Sequence, residues 1–96
     1  MNLTKTFAKN ENDVLINNDF IRDPTLTINE KMVYVILASH CSSENNECNP
    51  SIRSQLTVET GLSARSLILM LRSLEAKGLI EIVKKSGRST NTYILN

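Results

Sequence analysis

The sequence predicts a small α/β domain, mainly helical, in which a short strand precedes three helices and a two-stranded β-hairpin follows them. Three observations predict it. A capping box at Thr27 opens a run of apolar residues, two further capped helical segments are parted only by Gly61-Leu62-Ser63, and runs rich in branched residues flank a basic turn near the end of the chain.

The 96 residues suffice for one domain, and 41% hydrophobic with 22% charged residues is ordinary for a globular chain. Residues 1–12 are read as a polar N-terminal tail and residues 13–96 as the folded domain. Val14-Leu15-Ile16, closed by Asn17, Asn18 and Asp19, reads as a brief strand and a turn. Asp23-Pro24 marks a second turn, because proline excludes the helical region for the residue before it.

In Thr27-Ile28-Asn29-Glu30 the threonine hydroxyl and the glutamate can each satisfy a free backbone donor, so a helix is expected from Ile28 to His40. Its residues Met32 to Ala38 are apolar on nearly every side. Such a helix needs cover on more than one face, from the N-terminal segment or from a partner subunit. The polar, asparagine-rich stretch Ser42 to Asn49 reads as a loop.

Ser51, after Pro50, caps a second helix that buries Ile52 and Leu56 and ends at Gly61. Ser63 caps a third, Ala64 to Lys77, which Gly78 ends. Two helices so closely joined must turn sharply, which is the mark of a helix-turn-helix. Leu79 to Val83 reads as a strand, Ser86-Gly87-Arg88-Ser89 as its turn and Thr92 to Leu95 as the returning strand. A hairpin in that place is a wing, so the fold expected is a winged helix-turn-helix.

At these residues the chain resembles the winged-helix domains at the start of plasmid and phage replication initiators and of related mobile-element DNA-binding proteins. The resemblance rests on Leu26-Thr27, Tyr34 and Leu37, Pro50-Ser51, Gly61-Leu62-Ser63, Leu74, Gly78-Leu79-Ile80 and Asn91-Thr92-Tyr93, with Ile16-Asn17-Asn18 and Ile21-Arg22-Asp23 as a lead-in. It covers about residues 14 to 96. It implies DNA binding, in plasmid or phage replication, conjugative transfer or local regulation, with replication or transfer proteins as further partners.

Net charge is +1, but its distribution is uneven: residues 1–61 hold five Lys and Arg against eight Asp and Glu, whereas residues 62–96 hold six against two. A polyanion is therefore expected to meet the second half. On the wing, Lys84, Lys85, Ser86, Arg88, Ser89, Thr90 and Asn91 combine cations with small donors around Gly87. Lysines and hydroxyls suit phosphates, and Arg88 and Asn91 can reach base edges. The plainer reading is a solvated basic turn.

The third helix is a less obvious reading head. Leu67, Met70, Leu71 and Leu74 form its inward stripe, which leaves Arg65, Leu69, Arg72 and Ala76 outward, with Ile68 and Ser73 on the shoulders. Here the chain departs from the family, where the positions of Ile68 and Leu69 are usually polar. Three readings stay open: a homodimer contact through Ile68 and Leu69 or through Tyr34 of the first helix, groove insertion led by Arg65 and Arg72, or an ordinary surface.

Other chemistry finds little support. His40, Cys41 and Cys48 offer three soft ligands at an unfamiliar spacing, so no metal site is expected and both cysteines read as free thiols. No nucleophile and base pair and no phosphate-cradling glycine loop is evident, so neither an enzyme nor a cofactor is expected. No apolar run approaches the roughly 20 residues of a membrane span, and the expected location is the cytoplasm. The rival class is a protein-interaction module without direct DNA contact.

Overall fold

A computed structural model of the chain describes residues 6–42, 44–84 and 90–96. Among these residues, four helices and two small antiparallel sheets make up a mainly α fold. In chain order they are β1 (Phe7–Lys9), β2 (Val14–Ile16), α1 (Asn18–Ile21), α2 (Ile28–His40), β3 (Glu47–Cys48), a π-helical turn Ile52–Leu56 running into α3 (Thr57–Thr60), α4 (Ala64–Ala76), β4 (Ile80–Val83) and β5 (Thr92–Leu95). No helix among the described residues is long and apolar enough to cross a membrane.

The helices stand where their caps predict. Thr27 Oγ1 accepts from the Glu30 backbone N–H at 3.1 Å and Glu30 Oε1 accepts from the Thr27 backbone N–H at 2.9 Å. Ser51 and Ser63 cap the next two segments by accepting from Ser54 and Ser66. Gly61 and Gly78 adopt φ of 73° and 77°, the left-handed conformation that closes a helix end without a Cβ penalty. After Gly78, the Leu79 N–H returns to the Leu74 carbonyl and the chain leaves directly into β4.

The second helix departs from regular geometry at its start. Leu56 N–H reaches back to Ser51 O, and Thr57 N–H to Ile52 O, so the turn is one residue wider than an α-turn. That spacing deprives Arg53 O of its usual amide donor. The Thr57 hydroxyl donates to it instead, at 2.7 Å.

The segment expected to be a polar tail to residue 12 contributes a strand. β1 pairs antiparallel with β2, Phe7 opposite Ile16, because Phe7 has an apolar site to fill and is only 5% exposed. Burial of such a ring stabilises by roughly 1.5–3 kcal/mol. Lys9 then donates to the carbonyls of Ser39 and Cys41, placing a cation at the carboxyl end of α2. The cover that α2 requires thus comes from the N-terminal segment of the same chain.

Tyr34, offered by the sequence as a dimer contact, is wholly buried. Phe7 meets its ring edge-on at 6.0 Å and Phe20 of α1 lies tilted against it at 4.6 Å. Its hydroxyl donates to Asn96 O at 2.5 Å. A side chain so enclosed presents nothing to a second subunit, and burial pushes its phenol well above the usual value.

Around Tyr34 the core gathers Val33, Leu37 and Ala38 of α2, Leu56, and Leu67, Leu71 and Leu74 of α4. The expected loop between α2 and the second helix contains β3, which pairs with β5 and makes the hairpin part of a three-stranded sheet ordered β3-β5-β4. Cys41 and Cys48 are free, buried thiols in contact with one another. The neighbouring Cys41 thiol first, and then burial, hold Cys48 strongly protonated, while His40 turns outward to Glu59 at 2.6 Å.

Candidate nucleic-acid interface

α3, the link Gly61-Leu62-Ser63 and α4 form a tight helical pair. Leu62 is half-buried against the core, its N–H donating to Thr60 Oγ1 at 3.1 Å, so the link is held from both the apolar and the polar side. The inward side of α4 is Leu67, Leu71 and Leu74, with Met70 half-buried beside them. Its opposite side is therefore committed to solvent or to a ligand.

On that outward side Arg65, Leu69, Arg72 and Ala76 are exposed, Leu69 at 59%. Their spacing puts them on a single stripe, each within one or two turns of the next. Ser73 is turned towards α2 instead, where its hydroxyl donates to Glu30. Ile68, 38% exposed, faces the hairpin.

Between α4 and the hairpin runs an open groove. Ile52, Ile68, Asn91 and Tyr93 line its whole length, joined by Arg53, Ala64 and Thr90 at one end and by Arg72, Ile82 and Lys84 at the other. Tyr93 is buried in the groove floor, which pushes its phenol up, and Asn91, two residues before it, lines the groove beside it.

Four described cations border this surface: Arg53, Arg65, Arg72 and Lys84, all exposed. None forms an ion pair with another described residue. The nearby carboxylates are otherwise occupied. Glu75 accepts from the Ile82 backbone N–H at 3.0 Å, capping the free edge of β4, and Glu81 alternates with Ile80 and Ile82 to the other face of the sheet.

Of the site residues that the sequence singles out, the structure brings together Arg65, Arg72, Ile68, Leu69, Lys84, Thr90 and Asn91 on one side of the molecule. Lys85, Ser86, Arg88 and Ser89, with Gly87 among them, lie outside the described residues. Tyr34 is removed from the set by burial. Arg53 is the addition: its residue type marks it as a phosphate ligand, but nothing local shows that the wide turn carrying it abuts α4 and β5.

No curated protein and no solved structure matches the chain. A family model described as a helix-turn-helix domain matches residues 25–80, more than half of the chain, running from the approach to α2 through the helical pair and into β4. With the tight link at Gly61 and the outward stripe of α4 already in place, that match identifies the chain as a member of the helix-turn-helix domain family, an architecture of DNA-binding proteins.

Proposed function

We propose that the chain is a winged helix-turn-helix protein that binds double-stranded DNA sequence-specifically, with α4 and the β4–β5 hairpin as one continuous contact surface. The observation that carries this reading is the convergence of Arg53, Arg72 and Lys84 around one groove, with Arg65 on the same outward stripe of α4 as Arg72, and none of the four has a carboxylate partner among the described residues. Cations kept free of internal partners are available to phosphates. In this reading the hairpin is the wing, Lys84 and Lys85 anchor phosphates, and Arg88 and Asn91 reach base edges.

The protein acts as a homodimer on two half-sites, since one module of this size buries too little surface for tight specific binding. The contact between copies lies away from α4. A two-fold pairing about Leu69 would set the arginines of one copy against those of the other, and like charges so placed oppose association. Ile28 and Met32, 79% and 50% exposed and one turn apart on α2, supply apolar surface elsewhere. The motif order from Leu26 to Tyr93 supports a role in plasmid or phage replication, conjugative transfer or local regulation.

The test is duplex binding as a function of salt. With about five phosphate contacts, affinity falls roughly 10²- to 10³-fold between 50 and 200 mM salt. A protein with no measurable affinity for any duplex at low ionic strength would instead be an interaction module of a larger complex. Selection from a random duplex pool then yields the half-site and its repeat, and whether that site lies in an origin, a transfer region or a promoter identifies the process served.

A further inference from the structure

We propose that Leu69 makes DNA recognition by this chain methyl-sensitive, packing on the 5-methyl group of a thymine in the major groove between contacts made by Arg65 and Arg72. The inference rests on the DNA-binding reading and names the base that α4 demands. Leu69 is 59% exposed at the centre of the outward stripe, where a residue with no hydrogen-bonding capacity can contribute to base recognition only by apolar contact. In the major groove the apolar feature of a base edge is the thymine methyl.

The spacing fits a duplex. Along a helix rising about 1.5 Å per residue, Leu69 stands about 6 Å from Arg65 and about 4.5 Å from Arg72. Base pairs repeat every 3.4 Å or so, so the methyl lies one or two steps from each arginine contact. Arginines in that position pair with guanine or with flanking phosphates, and the outward stripe carries no carboxylate to repel them. Duplex DNA satisfies both the charge and the apolar centre of the stripe, whereas a second copy of the same stripe satisfies only the latter.

The experiment uses the full chain and the duplex selected from a random pool. Each thymine of the half-site is replaced singly by deoxyuridine, which deletes the methyl and leaves the pairing edge intact. One position per half-site is expected to weaken binding by the parent roughly three- to tenfold. Leu69→Ser, a change at an exposed site that leaves the fold intact by circular dichroism, binds the thymine and deoxyuridine duplexes equally and keeps its salt dependence. The proposal is overturned if the parent binds the selected duplex but tolerates every deoxyuridine, or if Leu69→Ser retains the methyl effect. Absence of duplex binding altogether overturns the DNA-binding reading itself, and this inference with it.

Discussion

Ser73 of α4 donates a 2.6 Å hydrogen bond to Oε2 of Glu30 on α2, and Lys77 donates to the same oxygen at 3.0 Å. The other carboxylate oxygen is held by the Thr27 N–H. One nearly inaccessible carboxylate therefore both caps α2 and ties it to α4.

The junction makes stability depend on acid. The Ser73 hydrogen bond first, and then the Thr27 backbone and Lys77, hold the Glu30 carboxyl at about 2, below its ordinary 4.5. Because the folded value is the lower one, the stabilisation is complete above about pH 4.5 and is lost as pH falls through about 2. Denaturant titrations of the parent should show this loss, and Glu30→Gln should flatten it while costing roughly 1–3 kcal/mol at neutral pH. An unchanged pH profile in the variant would disprove the assignment.

Phe7 and Tyr34 define a second expectation. Tyr34→Ala should cost roughly 3–5 kcal/mol, and Phe7→Ala an amount at the lower end of that range because the ring lies at the margin of the core. Tyr34→Phe, which removes only the hydroxyl bonded to Asn96 O, should cost about 1 kcal/mol. Sedimentation should show the same association state for Tyr34→Phe as for the parent. A shift to monomer would contradict the burial of Tyr34.

At Gly61 a Cβ would meet nothing within 4 Å, so crowding contributes nothing to the effect of a substitution there. The φ of 73° alone penalises it. Gly61→Ala is expected to destabilise by about 1–2 kcal/mol, with Gly61→Asn milder, since asparagine tolerates the left-handed region. Duplex affinity, measured where both variants are fully folded, should match the parent.

Among the cations, Arg53→Ala, Arg65→Ala, Arg72→Ala and Lys84→Ala should each weaken duplex binding. Where the lost contact is to phosphate, the salt slope should drop by about one and all sequences should weaken alike. Arg22→Ala, in the N-terminal segment beyond α1, serves as the control and should leave affinity unchanged. Equal losses from Arg22 and the groove residues would mean that overall charge, rather than this surface, attracts DNA.

The sequence by itself determined α2, the capped start of the second helical segment, α4 and the strands β4 and β5, but not α1, which occupies Asn18–Ile21 where a turn was expected. Caps at Thr27, Ser51 and Ser63, left-handed glycines at 61 and 78 and the leucine stripe of α4 act through bonds and contacts within a turn or two of the chain, so their consequences are written locally. It also placed Arg65, Leu69 and Arg72 on one outward face. Tertiary structure alone decided that Phe7 and Phe20 would cover Tyr34, that β3 would extend the hairpin sheet, that Ile68 would face Asn91 across a groove, and that Arg53 would border it. Those relationships join segments far apart in sequence, where the partner of an apolar or charged side chain is chosen by which surfaces pack together rather than by any neighbouring residue.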